Sequence, residues 1–96
     1  MVQVVVGVAP IVVSPRDSRV VSITFFNDSP AGQVISLSKQ GAIGLTALSR
    51  EYTLLPGAGL AFMLDYEGSD IQGEWGAYST AAGGILVIGV CSARTR

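Results

Sequence analysis

The stretch that decides the fold is Tyr52-Thr-Leu-Leu-Pro-Gly-Ala-Gly-Leu-Ala-Phe-Met-Leu-Asp-Tyr66, followed by Glu67-Gly-Ser-Asp70 and Ile71-Gln-Gly-Glu-Trp-Gly-Ala-Tyr-Ser-Thr-Ala-Ala-Gly-Gly-Ile-Leu-Val-Ile-Gly-Val-Cys91. It reads as strand, Pro-Gly turn, strand, acidic Gly/Ser loop, strand, Gly-Gly turn, strand. Each break uses residues that reverse a chain. This spacing predicts an antiparallel meander, and its inner face, which includes the chain's only Trp, is expected to supply much of the core. Within it Leu60, Phe62 and Leu64 share one face, with Ala61, Met63 and Asp65 opposite. Trp75, Ala77 and Ser79 share another, with Tyr78 on the reverse. The last strand is apolar on both sides, Ile85, Val87 and Cys91 against Leu86, Ile88 and Val90, as in a strand at the middle of a sheet or beneath a second chain.

Working outward, Val2 to Val8 is a valine-rich strand closed by Pro10. Val2, Val4 and Val6 fall on one face and Gln3, Val5 and Gly7 on the other. Residues 1–9 therefore read either as a strand covered within the domain or as an arm that pairs with a neighbouring subunit. Ile11 to Ser14 continues extended to a turn opened by Pro15. Arg19 to Asn27 alternates Val21, Ile23 and Phe25 against Ser22, Thr24 and Phe26, and ends in the turn formers of residues 27–32. Gln33 to Lys39 reads as a half-buried strand, Val34, Ser36 and Ser38 against Ile35 and Leu37. Gln40 to Leu48 fits either a short helical turn or an irregular crossing, and its glycines disfavour a regular helix. Ser49-Arg50-Glu51 is a polar joint, and residues 92–96 are a loose polar tail.

Seven or eight short strands with turn signals every 8 to 12 residues place the chain in the all-β class, as one antiparallel β-sandwich, jelly-roll-like, or a small barrel. Ninety-six residues make a single domain over 1–96. The composition is 49% apolar and 14% charged, with mean hydropathy +0.51, which is rich in apolar surface for a small domain. Part of that surface is expected to be covered by another subunit. The residues expected at such an interface are Val2, Val4, Val6, Leu86, Ile88 and Val90.

Six basic against seven acidic residues give no positive field for a phosphate backbone, so nucleic acid is not expected as a ligand. The N-terminal apolar run lacks a preceding Lys or Arg, so no signal peptide is expected, and no apolar run is long enough for a membrane helix. Cys91, the single cysteine, reads as a small buried residue on a strand. The chain has no histidine, which excludes Ser-His-Asp and Cys-His nucleophilic arrangements and the usual zinc sites. The acidic loop 65–70 lacks the order of an EF-hand and reads as a solvated hairpin tip. No glycine motif for phosphate is present. Trp75 and Tyr78 lie an odd number of positions apart and form no common sugar platform, so Trp75 reads as core. No catalytic residue, cofactor or metal is expected.

The succession Arg19, Ile23, Asn27 and Ser29, the strand Val34 to Leu37, Leu55-Pro-Gly57, Ile71-x-Gly-x-Trp-x-Ala-x-Ser79 and Gly84-Ile-Leu-Val87 resembles small β-sandwich virion proteins of tailed bacteriophages, over about residues 16–90. These include capsid decoration (cement) proteins and head or tail-fibre modules. The resemblance implies a structural protein of the virion, assembled in the host cytoplasm. It would be a homo-oligomer, with a trimer as first expectation, and would adhere to the major capsid protein or other virion proteins. The positions carried over are structural: Asn27 and Ser29 ending the first long strand, Pro56 and Gly57 in the turn, Gly73 and Trp75 opening the next strand. The valine-rich N-terminus lies outside the pattern. The alternative is a carbohydrate-binding module of a phage fibre or tail.

Overall fold

The structure, a computed structural model, describes residues 2–39, 52–64 and 68–92. The crossing at 40–48, the joint at 49–51, residues 65–67 of the acidic loop and residues 93–96 of the tail lie outside the described residues. The chain is all-β, and its described residues form eight strands: β1 Val2–Val6, β2 Ile11–Ser14, β3 Val20–Asn27, β4 Ile35–Ser38, β5 Tyr52–Leu54, β6 Gly59–Met63, β7 Trp75–Ser79 and β8 Gly84–Ser92. A 3-10 turn at Gly68–Gln72 precedes β7.

The strands form two antiparallel four-stranded sheets, in the orders β1-β8-β3-β6 and β2-β7-β4-β5. Their pairing has a simple plan: β1 with β8, β2 with β7, β3 with β6, β4 with β5. It is one long double ribbon rolled over itself, closed laterally by β3 against β8 and β4 against β7. This is the jelly roll, and the small-barrel alternative gives way to two distinct packed sheets.

The expected meander from Tyr52 to Cys91 is corrected. β5 and β7 belong to one sheet and β6 and β8 to the other, so the Pro56-Gly57 and Gly83-Gly84 turns carry the chain between layers. Such a turn needs the same residues whether it joins neighbours in one sheet or crosses to the facing one. Gly57 adopts φ 79°, a conformation that costs a side chain dearly, and its N–H donates to Asn27 O at 2.8 Å.

The two inner faces bury Val6, Ile23, Phe25, Phe62, Leu86 and Ile88 from the first sheet against Ile35, Leu37, Leu54, Trp75 and Ala77 from the second. Trp75 lies at the centre with no exposed area, its ring 4.8 Å from Phe25 and 5.1 Å from Phe62, and its Nε1–H donates to Ile71 O at 3.1 Å. Tyr52 packs at the rim of this group, its ring 4.9 Å from that of Phe62 and tilted 59° to it. Three local expectations change. β4 is buried on both faces, Ser36 and Ser38 included. A bulge between Val20 and Ser22 buries Val20 and leaves Val21 half-exposed. Ile71 and Gln72 lie in the 3-10 turn ahead of the strand that begins at Trp75.

Candidate interaction surface

None of the eight strands contains an Asp, Glu, Lys or Arg. Every charge among the described residues sits in a connection, as at Arg16, Asp17, Arg19, Asp28, Lys39 and Glu74. For the β1-β8-β3-β6 sheet this has a specific result. Its inward residues make half of the core, and its outward residues form an uncharged face open to water. Across that face the ladders align Gln3, Val87, Phe26 and Gly59 in one row, Gly89, Thr24 and Ala61 in the next, and Cys91, Ser22 and Met63 beyond. Val5 is 66% exposed, Met63 48% and Phe26 41%.

The face is not flat. Gly59, Ala61 and Gly89 present little or no side chain, and beside Phe26, Thr24 and Val87 they leave a shallow groove of about 550 Å³. At Gly59 an added Cβ would stand 3.2 Å from Phe25 O and 3.5 Å from the Phe26 ring, so glycine lets the ring lie over β6. Four strands at ~4.8 Å spacing, over about six residues of length, make a face of roughly 400 Å². The footprint includes Gln3, Ser22 and Thr24 beside its apolar residues; the largest exposed apolar patches on monomers commonly reach about 300–600 Å² and are often functional.

The six residues expected at an interface divide. Val6, Leu86 and Ile88 are buried in the domain's own core, and a side chain without accessible surface meets no partner, so the sequence reading is corrected for these three. Alternation shows which residues share a face; it does not show which face turns inward. Val4 is half-buried against the core. Val2 and Val90 are exposed and border a second recess of about 370 Å³ at the mouth of the sandwich, with Val13, Pro15 and Ile88. Cys91, expected in the interior, is exposed, because it lies on the outward side of β8 opposite Ser22. The sequence reading missed the outward face itself, which the alternating pairs Thr24 and Phe26, Ala61 and Met63, Ile85 and Val87 carry. Its signal is the missing charge.

The polar side chains of the interior serve the fold. Asn27 and Gln33 are buried and fully engaged, and among the described residues no buried side-chain nitrogen or oxygen lacks a partner. Among the described residues there is also no group of three His, Cys, Asp or Glu side chains placed to hold a metal ion. Asp17 holds the turn before β3: its carboxylate accepts from Arg19 N at 2.9 Å and from Arg19 Nε at 3.3 Å, and these contacts, the main-chain one foremost, lower its pKa below the ordinary carboxylate value. Gln72 ties that turn to the 3-10 segment by donating to Ser18 O and Val20 O. Trp75 in the core and Tyr78, half-buried on the opposite side of β7, share no surface.

Comparison with known proteins adds no identity: no protein family, no curated protein and no solved structure matches this chain.

Proposed function

We infer that this protein is a non-enzymatic structural module that self-associates, and that it adheres to other proteins through the uncharged outer face of its β1-β8-β3-β6 sheet. The observation that carries the reading is that face: four exposed strands without one charged residue, bearing Val5, Phe26 and Met63. An apolar exposed sheet costs solubility in a solitary molecule and is favourable beneath a partner. The setting proposed is the virion of a tailed bacteriophage, as a capsid decoration protein that oligomerises and cements neighbouring shell subunits. It rests on the sequence resemblance, and jelly rolls are at home in viral shells. Bound to the folded shell, such a protein stabilises it by mass action. Light scattering at micromolar concentration and co-sedimentation with phage shells test the reading. A strict monomer that leaves shells bare would end it.

The groove beside Phe26 supports a second reading, a carbohydrate-binding module of a fibre, since jelly rolls also serve lectins. A glycan array separates the two. Saturable binding of one sugar would favour the fibre module.

A further inference from the structure

The four sheet edges are unequally protected. Edge strands present unpaired N–H and C=O groups, and proteins blunt them with prolines, bulges, charges or brevity. In the second sheet, β2 carries a bulge between Val12 and Ser14 and is bracketed by Pro10 and Pro15, while β5 is three residues long. The first sheet ends in β1 and β6, and neither has a proline, a charge or a bulge. β1 is the stronger template. Four of its five residues are valine, whereas Gly59 and Ala61 give β6 little to pack across a seam. Among the described residues, the outer edge of β1 meets no strand.

We propose that two copies of the chain join β1 to β1 antiparallel across a two-fold axis, extending the β1-β8-β3-β6 sheet to eight continuous strands. It deepens the self-association half of the preceding reading and rests on that half alone. The strand suits its own image. With the axis at Val4, Val2 faces Val6 of the second copy, Gln3 faces Val5, and Val4 faces Val4, so inward and outward residues stay on their proper sides. Val2, 63% exposed on the inward side, gains the second copy's strand beside it, while Val6, whose side chain is already buried, contributes its main chain to the seam. A two-fold pairing closes after two copies, whereas β1 on β6 of the next copy propagates head to tail. Eight strands stay within the size of ordinary twisted sheets. The outer face stays uncovered by the seam, and its footprint doubles from roughly 400 to roughly 800 Å².

Light scattering of the full chain should give a dimer at tens of micromolar, and a monomer or a trimer there would overturn the pairing. The exposed-face double variant Gln3→Lys and Val5→Lys sets lysine against lysine twice across the seam. It should weaken dimerisation at least about tenfold while the fold, read by circular dichroism, persists. An unchanged dimer contradicts the proposal. Val4→Cys in a Cys91→Ser background should form a disulfide-linked dimer on mild oxidation, which also serves if the lysine variant misfolds; no crosslink rejects the two-fold at Val4. Phe26→Lys, away from the seam, should leave the dimer intact and remove shell binding. Loss of shell binding with an intact dimer, or the reverse, therefore tells the two readings apart.

Discussion

The Ser29 hydroxyl stands 2.5 Å from Oδ1 of Asn27, and the same Ser29 oxygen accepts the Ile85 N–H at 3.0 Å. Asn27 closes β3 with no exposed area, and its amide nitrogen donates to Gln33 O at 2.8 Å and Leu54 O at 2.9 Å. The Asn27 and Ser29 side chains together thus tie the end of β3 and the start of β8, in one sheet, to the approaches of β4 and the end of β5, in the other. Asn27→Asp keeps the shape but loses both donors and sets a carboxylate against two carbonyls. It is expected to cost about 3 kcal/mol, and Ser29→Ala about 1–2 kcal/mol. Urea unfolding at unchanged m-value measures both, and an Asn27→Asp midpoint equal to wild type would refute the tie.

Gly84 is required by space. A Cβ there would lie 2.8 Å from Ser79 Oγ and 2.9 Å from Val6 O. The hydroxyl can turn aside, but the carbonyl belongs to the rung that pairs Val6 with Gly84 and moves only if β1 moves. Gly84→Ala is expected to destabilise by about 2–3 kcal/mol. Adding Ser79→Ala should not restore the loss, because the carbonyl stays. Gly7→Ala is the control: nothing lies within 4 Å of its Cβ, and its effect should remain within about 0.5 kcal/mol. Full rescue by the Ser79 change would show that the side chain, and not the strand, set the limit.

The extent to which the sequence disclosed this fold follows from what alternation and turn residues encode. Strand positions were legible because valine, isoleucine and phenylalanine alternate between Gly, Pro, Asn and Asp punctuation, and Trp75 was legible as core. Sheet membership was not, since Pro56 and Gly57 suit a hairpin and a crossing equally. The inward side of β8 was hidden because both its faces are apolar; only pairing with β1 and β3 turns Leu86 and Ile88 to the core and Ile85 and Val87 outward. The exposed face was visible as an absence of charge, yet an absence carries no position until the strands are ordered side by side.

Asp17 offers a pH test with a definite sign. Its folded pKa is lowered by the Arg19 main-chain N–H and then by the Arg19 side chain. A group with a depressed folded pKa contributes stability that is full above its unfolded value, about 3.9, and is lost as pH falls through the folded value. Wild-type stability should therefore drop below about pH 4 by a component that Asp17→Asn lacks. Because Asp17 keeps about a third of its side-chain surface in water and its partner Arg19 is exposed, the component is small and should shrink further in about 0.5–1 M salt, as screening of a surface pair requires. Parallel acid-unfolding curves for the two proteins would show that the turn draws nothing from this charge.

Ile88 and Val90 sit two positions apart on the same side of β8, and in the sequence they are equals. The structure separates them. β1 begins opposite Ile88, at Val2, so Ile88 has a strand on each side and 5% exposure, while Val90 pairs only with Ile23 of β3 and is 48% exposed at the mouth of the sandwich. Ile88→Ala should cost about 3 kcal/mol, combining lost burial with an unfilled cavity, and Val90→Ala less than about 1 kcal/mol. Ile88→Lys should fail to fold, and Val90→Lys should fold with its ammonium in water. Thermal unfolding of the four variants decides the matter: equal losses at the two positions would mean that the end of β8 is covered after all, and that the mouth bordered by Val2 and Val90 is closed rather than open.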